Sequence, residues 1–405
     1  MNVWFLHFFL GLSSGLPLLL TWSTLQAWMT ESHVNLKTIG IFALVRTPYN
    51  FKFLWAPLMD RIRLPFLTRR RAWMIVTQVL IAASLFGLGK TDPVTNPFIV
   101  ALFAVLVSFF SASQDIVIDA YRTETLEGGL QGLATSSYIT GYRVGMLIAG
   151  ALALYAGGHF KLGWSAIYSI MAVLMLIGVV AALAAPEGEF APAPRTLAEA
   201  VVEPFKEFLS RTGVVWMLAL IIFFKFGDNL ANSMTTPYIL SNGYTKEEYA
   251  IVAKGYGLAA ALLGGIIGGP VMVRLGVIRS LWVFGLGQAL AVSGFIWLSM
   301  VPKSIPILAA VIMGENFFIG CGSAAFSTYI SNITNPRYTA TQFALLTSLT
   351  TLSSTVLTVP SGFLVERLGW TSFFVLCVAL AVPGLLLITR VRLLPTPAHP
   401  APQAH

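Results

Sequence analysis

Charged residues are scarce in this chain of 405 residues. Asp, Glu, Lys and Arg make up 10% of the sequence, against roughly 25% in a typical soluble domain. Hydrophobic residues make up 56%, and the mean hydropathy is +0.78. The composition therefore predicts an integral membrane protein and argues against a soluble enzyme or binding protein.

Cysteine and histidine are also rare. The two cysteines lie in apolar runs, far from any CxxC or histidine-rich spacing, so we expect neither a disulfide nor a metal site. The five histidines are scattered, and no nucleophile with a base is evident, which argues against a membrane-embedded enzyme. The net charge of +8 is spread over short loops rather than one patch, so no nucleic-acid partner is expected. We expect no catalytic residue and no cofactor.

Apolar runs of about 18 residues or more recur along the whole chain, the length that a helix needs to cross a hydrocarbon core about 30 Å thick. The first run lacks a basic region before it and a small-residue cleavage site, so it is predicted to be a retained span. About twelve spans are predicted. Their approximate ranges are 4–29, 37–59, 72–89, 96–121, 129–156, 163–185, 213–239, 246–273, 279–300, 304–331, 337–364 and 370–390.

The longest connection separates six predicted spans from six, and two internal repeats relate the halves. Leu162-Gly163-Trp164 matches Leu368-Gly369-Trp370, and the APLMDR string at 56–61 resembles GPVMVR at 269–274. A same-orientation repeat of about 206–213 residues predicts two parallel six-helix bundles, the all-α architecture of a major facilitator transporter. We predict an N-terminal bundle over 1–186, a cytoplasmic linker over 187–212, a C-terminal bundle over 213–392 and a disordered tail over 393–405.

The basic residues predict the orientation of these spans. When alternate loops are assigned to opposite sides, one side holds 14 of the 25 Lys and Arg residues, the other holds 6, and 5 lie inside spans. The positive-inside rule then places both termini and the linker in the cytoplasm.

Nine ionisable side chains lie inside the predicted spans. At the bilayer centre each costs at least about 2.5–3.5 kcal/mol, so most are expected to face a protein interior or a water-filled path and to serve a function. This number of intramembrane charges predicts a transporter. The nine residues are Arg46, Lys52, Asp115, Asp119, Arg143, Lys225, Asp228, Lys254 and Glu315.

The fourth predicted span places Asp115, Asp119 and Arg122 on one helical face, because spacings of four and three return to the same side. A carboxylate in an apolar, partly wet cavity can take up and release a proton as water access alternates, which is what proton coupling requires. The alternative is a structural ion pair, above all between Asp119 and Arg122.

The seventh and tenth predicted spans carry a second set of charges. Lys225, Asp228 and Asn232 share one face, either as a wall of the central cavity or as a self-neutralising structural pair. Glu315 and Asn316 open a run of small residues whose glycines alone are more typical of helix packing, but a buried acid favours a functional role.

Cationic side chains in the second and fifth predicted spans indicate a solute that bears carboxylates. Arg46 with Asn50, and Tyr142 beside Arg143, supply hydrogen-bond donors and an aromatic surface. For Lys52 the alternative to a position in the cavity is that its side chain extends along the helix towards the cytoplasmic surface.

Several strings of this chain resemble the AmpG muropeptide permeases. They include FKFLWAPLMDR at 51–61, SASQDIVIDA at 111–120, KFGD at 225–228 and ATQFALL at 340–346, with further matches at 9–18, 24–29, 35–40 and 315–316. The resemblance covers nearly the whole chain. It departs at Arg46-Thr47-Pro48, where small uncharged residues are expected, and at Ser353-Ser354-Thr355, where some members have a basic residue.

The resemblance implies a proton-driven importer in the bacterial inner membrane that carries N-acetylglucosaminyl-1,6-anhydromuropeptides into the cytoplasm for peptidoglycan recycling, with a link to β-lactamase induction. Its partners would be this small-molecule solute, protons and membrane lipid, and the protein is expected to be a monomer. The alternative is a proton-coupled carrier of another acidic solute, such as an acyl-CoA or a peptide, because acetyl-CoA carriers share the motif at 52–60.

Three groups of residues follow from these arguments. Proton coupling is assigned to Asp115, Asp119, Asp228 and Glu315. Gating is assigned to Asp60 and Arg61, because an acid and an arginine before the basic cluster at 69–71 resemble the major facilitator loop that latches the cytoplasmic side. For Arg69 to Arg71, the alternative of topology anchors alone is equally consistent with the sequence. Substrate binding is assigned to Gln26, Arg46, Asn50, Lys52, Gln114, Tyr142, Arg143, Lys225, Asn232, Asn316 and Gln342.

Overall fold

The computed structural model describes residues 2–65, 67–126, 128–186 and 196–392. Over these ranges every regular element is a helix, and no strand is present in them. The predicted tail over 393–405 and the first part of the predicted linker, 187–195, lie outside the described residues.

The α-helices are numbered here in chain order. They are α1 Val3–Leu20, α2 Ser23–Glu31, α3 Leu36–Ile41, α4 Thr47–Phe51, α5 Ala56–Arg61, α6 Arg69–Gly89, α7 Pro97–Thr125, α8 Gly128–Leu147, α9 Ala153–His159, α10 Trp164–Leu174, α11 Leu176–Leu183, α12 Leu197–Leu209, α13 Val214–Phe223, α14 Phe226–Ser241, α15 Lys246–Tyr249, α16 Leu258–Leu275, α17 Val277–Leu298, α18 Ile305–Ile333, α19 Thr339–Thr358 and α20 Ser361–Val391.

Ten helical segments in the described part of the chain are long and apolar enough to cross a membrane. Several consist of consecutive helices that continue one another, such as α1 with α2 and α13 with α14. All ten overlap predicted spans. They are Val3–Glu31, Arg69–Gly89, Pro97–Thr125, Leu130–His159, Trp164–Leu183, Val214–Ser241, Ile251–Leu275, Val277–Leu298, Ile305–Ile333 and Ser361–Val391.

The predicted spans 37–59 and 337–364 are not among these ten, so the count of twelve stays a prediction. Over 36–61 the chain forms short α- and 3₁₀-helices. Proline is the second residue of α4 and of α5, and because proline lacks a backbone N–H, a continuous helix is interrupted there. In contrast, α19 is unbroken over 20 residues, but ten of them are serine or threonine, which lowers its hydropathy.

The chain divides into two compact units. Unit 1 contains Met1–Glu127, Ser137–Phe205 and Thr334–Ser348, and unit 2 contains Gly128–Ser136, Lys206–Ile333 and Leu349–His405. The boundaries predicted from the sequence, at 186 and 212, stay a prediction.

In unit 1, α1 and α8 approach each other through glycines spaced four residues apart. A Cβ on Gly11 would lie 2.0 Å from the Tyr138 carbonyl oxygen, and one on Gly141 would lie 2.0 Å from the Phe8 carbonyl oxygen. Gly15 and Gly145 repeat the arrangement one turn further along. Small residues at such spacing let helix backbones pack closely in a membrane. This packing fixes the position of Tyr138 and Tyr142 beside α1.

Replacing Gly11 with alanine is expected to lower the midpoint of thermal unfolding in detergent, because the added methyl group meets backbone that cannot move aside. Overpacking of this kind typically destabilises by about 1–3 kcal/mol. The matched control is Gly158→Ala, since a Cβ there has no neighbouring atom within 4 Å. Equal midpoints for the two variants would contradict the close packing of α1 on α8.

Unit 2 has an aromatic core. The rings of Tyr238, Phe295 and Phe374 lie within 4.9–6.1 Å of one another and are fully buried. A glycine contact also joins α16 to α18, because a Cβ on Gly264 would lie 2.0 Å from the Phe317 carbonyl oxygen. These contacts hold the helices that carry the charges of this unit.

Candidate functional site: two buried charge clusters and a capped helix end

The first charge cluster lies in unit 1 and is centred on α7. Asp115 and Asp119 are 9% and 7% exposed and lie one helical turn apart, which places them on the same side of the helix. The hydroxyl of Tyr138 donates to Oδ1 of Asp115 at 3.5 Å. Lys52 is 9% exposed and interacts electrostatically with both carboxylates. A buried cation therefore serves two buried acids.

Asp119 has a nearer cation as well. Arg122 Nη2 donates to Oδ1 of Asp119 at 2.8 Å, so the alternative of an ion pair at this position is present in the structure. The guanidinium also lies over the ring of Tyr138 at 4.9 Å and over that of Phe343 at 5.8 Å. Asp115, in contrast, has no ion pair within 4 Å among the described residues. The two acids therefore differ in how firmly their charge is compensated.

A break in the first span lies beside Arg46. The break separates α1 from α2 at Thr21 and Trp22, and Trp22 has the irregular backbone angles φ −126° and ψ −104°. The guanidinium of Arg46 lies 4.0 Å from the ring of Trp22, and its Nε has no hydrogen-bond partner in the described part of the chain. Arg46 also interacts electrostatically with Tyr142. This arrangement presents a cation and an aromatic face together.

Gln114 ties the cluster to α1. Its Nε2 donates to the hydroxyl oxygens of Ser13 at 3.1 Å and Ser14 at 3.3 Å, while its buried Oε1 has no partner among the described residues. The carboxamide is therefore held in place with one acceptor still open.

The second charge cluster lies in unit 2, on α14 and α18. Lys225, the residue before α14, donates from Nζ to the Ser323 hydroxyl at 2.7 Å. Asp228 and Glu315 are 8% and 2% exposed, and each has one buried carboxylate oxygen without a hydrogen-bond partner in the described residues. Asp228 interacts electrostatically with both Lys225 and Glu315. Two acids thus lie close enough for their ionised forms to repel each other.

A carboxylate caps the start of α19 within unit 1. Asp60 is fully buried and accepts from the backbone N–H groups of Ala340 at 3.2 Å and Thr341 at 2.9 Å, and from the Thr341 hydroxyl at 2.7 Å. The first N–H groups of a helix lack partners inside it, and its N-terminus favours negative charge. Asp60 therefore supplies the hydrogen-bond acceptors for the first N–H groups of α19, a role that an N-cap residue next to the helix usually has.

Arginines hold Asp60 from its other side. Arg70, also fully buried, donates from Nη2 to Oδ1 of Asp60 at 2.7 Å and from Nε to Glu124 at 3.0 Å. Arg69 donates to the Asp60 carbonyl oxygen at 2.7 Å. Arg61, the expected partner of Asp60 in gating, is exposed instead. From the sequence, Arg70 has no role beyond the basic cluster, and Glu124 is indicated only as a third acid on α7, after Asp115 and Asp119.

The remaining predicted site residues fall into three positions. Gln342 lies in the Asp60 region, where its Nε2 donates to the Pro204 carbonyl oxygen at 3.0 Å and its Oε1 accepts from the Asn335 N–H at 2.7 Å. Asn316 follows Glu315 and donates to the Ile312 carbonyl oxygen at 2.9 Å. Four further predicted residues are half-buried or exposed: Gln26, Asn50, Arg143 and Asn232.

The structure therefore brings together, in unit 1, Lys52, Gln114, Asp115 and Asp119, with Arg46 and Tyr142 close to one another. In unit 2 it brings together Lys225, Asp228 and Glu315. Trp22 also belongs to the site of unit 1, but the sequence does not indicate it, because the helix break after Pro17 lies within an apolar run and has no signature of its own. The side chain of Lys254 lies outside those described.

Proteins of named function resemble this chain over almost its full length. The anhydromuropeptide permease of Escherichia coli strain K12 is 41% identical over 385 residues, which cover 95% of this chain and 78% of that protein. The putative transporter AmpG 4 of Rickettsia conorii is 36% identical over 390 residues, covering 94% of each. These relatives are named as permeases and transporters, not as enzymes.

The fold and the family are shared more widely. A proton:xylose symporter of the major facilitator superfamily, solved with 6-bromo-6-deoxy-D-glucose bound, superimposes with a TM-score of 0.71 at 12% identity, over 97% of this chain and 95% of that one. At this identity the likeness shows the fold alone. The sequence profile of the Major Facilitator Superfamily matches residues 3–358. The chain is thus a multi-pass membrane transporter that belongs to the major facilitator superfamily and, within it, to the AmpG permeases.

Proposed function

We propose that the chain is a proton-coupled importer of N-acetylglucosaminyl-1,6-anhydromuropeptides. It carries them by alternating access from the periplasm to the cytoplasm across the bacterial inner membrane, with both termini in the cytoplasm, and so serves peptidoglycan recycling and β-lactamase induction. The protein acts as a monomer in membrane lipid, with the solute and protons as its partners. The substrate is taken from the name of the E. coli relative.

The observation that carries the proton coupling is that each unit has its own pair of buried acids. Asp115 and Asp119 lie beside Lys52, and Asp228 lies beside both Lys225 and Glu315. Isolated buried charges are unfavourable in a membrane protein unless they are paired or neutralised by a proton. Acids whose cation partner can be taken by a solute carboxylate are well suited to bind a proton at that moment and release it later.

The same cations favour an anionic solute. An anhydromuropeptide carries peptide carboxylates, and we assign their recognition to Arg46, Lys52 and Lys225, since guanidinium and ammonium groups form strong charge-assisted hydrogen bonds. Contacts to the sugar are assigned to carboxamides and aromatic rings, namely Gln26, Asn50, Gln114, Tyr142, Asn232 and Asn316, together with Trp22. The guanidinium of Arg143 is assigned to the same site as a hydrogen-bond donor.

Gating is assigned to Asp60 with Arg70 and Glu124. Their hydrogen bonds hold the start of α19 in unit 1, and alternating access requires such contacts to break and reform. Arg61 is left out of the proposed gate because it is exposed. Gln342, which the sequence predicts to bind substrate, is left out of the proposed substrate site because its carboxamide is engaged at Pro204 and Asn335.

The test is uptake of labelled N-acetylglucosaminyl-anhydromuramyl tripeptide into proteoliposomes of known protein orientation, with and without an imposed proton gradient. We expect accumulation above the external concentration that an uncoupler abolishes. Correctly folded protein that fails to accumulate this solute, while taking up another acidic solute such as an acyl-CoA, would contradict the proposed substrate.

Replacing Lys225 with methionine is expected to raise the KM for a peptide-bearing anhydromuropeptide by about tenfold, because a hydrogen bond to a charged group contributes about 1.5–3 kcal/mol. The KM for the same disaccharide without its peptide should change little. Lys303→Met is the matched control, since Lys303 pairs with Glu248 at 2.7 Å in a part-exposed ion pair. An equal rise in KM for both solutes would argue against contact between Lys225 and the peptide.

A further inference from the structure

Unit 2 contains an open cleft between α14 and α19 that the charge clusters do not account for. Its volume is about 410 Å³, within the range of roughly 300–1,000 Å³ common for ligand sites. Every lining side chain among the described residues is a neutral carboxamide or hydroxyl. The lining residues are Asn229, Asn232, Ser233, Ser354, Thr355 and Thr358.

The position of the cleft indicates that it is wet. Helix α14 belongs to the membrane-crossing segment Val214–Ser241, and Asn232 and Ser233 are exposed in the middle of it. Thr355, on α19, is exposed as well. A carboxamide that faced lipid tails would find no hydrogen-bond partner, so Asn232 is expected to face a protein interior or a water-filled cavity.

The lining groups have hydrogen-bonding capacity left over. The Ser354, Thr355 and Thr358 hydroxyls donate to carbonyl oxygens of their own helix, which leaves their lone pairs free to accept. The Asn229 and Asn232 carboxamides, one turn apart, make no side-chain hydrogen bond to the described residues, and each offers two donors and one acceptor. The described lining of the cleft thus presents donors and acceptors but no charge.

We infer that this cleft is a subsite for the neutral, hydroxyl- and acetamide-bearing part of the solute. The inference deepens the proposed function and rests on it: the sugar of an anhydromuropeptide occupies the cleft while its peptide carboxylates meet Lys225, the cation of the same unit. A site that hydrogen-bonds hydroxyl and amide groups discriminates strongly against solutes that lack them, because its polar groups are then left unpaired. An uncharged lining also disfavours entry of a carboxylate, which would lose its hydration without gaining a cation.

The experiment measures Kd with purified protein for three probes: N-acetylglucosaminyl-anhydromuramyl tripeptide, the same disaccharide without peptide, and the free tripeptide. Asn232→Leu and Thr355→Val keep side-chain size and remove hydrogen-bonding groups. We expect each to raise the Kd for both sugar-bearing probes by about tenfold, the effect of one or two lost hydrogen bonds. The Kd for the free tripeptide should not change.

The matched controls are Thr389→Val, an exposed hydroxyl on α20, and Ser241→Ala at the end of α14 outside the cleft. Sugar affinities that fall no further in the cleft variants than in these controls would overturn the subsite, as would an equal loss for all three probes. Wild-type protein that binds the disaccharide without importing the muropeptide would contradict the proposed function and still support the subsite. Wild-type protein that binds no sugar probe would overturn both.

Discussion

Proton-driven accumulation of the solute is expected to disappear when Asp119 is replaced by asparagine. The change keeps the size of the side chain but removes the acid from a buried site shared with Asp115, Lys52 and Arg122. An amide cannot carry the coupled proton, so solute should at most equilibrate to equal concentrations on the two sides of the membrane. The measurement is accumulation in proteoliposomes under an imposed proton gradient, compared with exchange of labelled for unlabelled solute without a gradient.

Two results separate a coupling role from a structural one. If Asp119 only pairs with Arg122, Asp119→Asn should impair exchange and accumulation to the same degree and lower the unfolding midpoint. If it couples the proton, exchange should persist while accumulation is lost, and Asp119→Glu should restore part of the accumulation. Full gradient-driven accumulation by Asp119→Asn would remove this residue from the coupling mechanism.

Replacing Asp60 with alanine is expected to give the largest loss of stability among the changes considered. The substitution removes a carboxylate that pairs with Arg70 and accepts three hydrogen bonds from the start of α19. These contacts are all fully buried. Removing one partner of a buried ion pair typically destabilises by about 3–5 kcal/mol. We expect a much lower unfolding midpoint in detergent and loss of uptake in proteoliposomes.

Graded variants test which contact of Asp60 matters. Thr341→Val removes one of the donors and should produce a small part of the effect, while Asp60→Asn keeps acceptors for the backbone but loses the charge facing Arg70. Arg61→Ala, next in sequence and exposed, is the matched control. An Asp60→Ala protein as stable and active as Arg61→Ala would show that the cap on α19 is dispensable.

Much of the architecture can be predicted from the sequence, because the membrane imposes a length and a hydropathy on each crossing. Ten of the predicted spans overlap helical segments of suitable length. The two predicted spans that do not match such a segment, 37–59 and 337–364, have local causes. Pro48 and Pro57 interrupt the helix in the first, and the hydroxyl side chains of α19 lower the hydropathy of the second. Periodicity along one helix also anticipated that Asp115 and Asp119 share a side.

Contacts between distant elements could not be predicted in the same way. Asp60 contacts Arg70 and Thr341, which are 10 and 281 positions away, and Arg70 in turn contacts Glu124, a further 54 positions along; no periodicity relates such positions. Gln342 lies in a string typical of the AmpG permeases, yet its carboxamide is used at Pro204 and Asn335. A sequence string shared with a family indicates that a residue has a role, but only the fold shows which residues it contacts.

The cap on α19 also bears on biosynthesis. Asp60 emerges from the ribosome 280 residues before Ala340, yet the N–H groups whose hydrogen bonds it accepts belong to Ala340 and Thr341. During most of translation its buried position cannot be completed, although Arg70 and Glu124 are already available. The final packing around Asp60 therefore waits for insertion of a helix that is made about 280 residues later, and we expect chains that stall before residue 341 to be targets for membrane quality control.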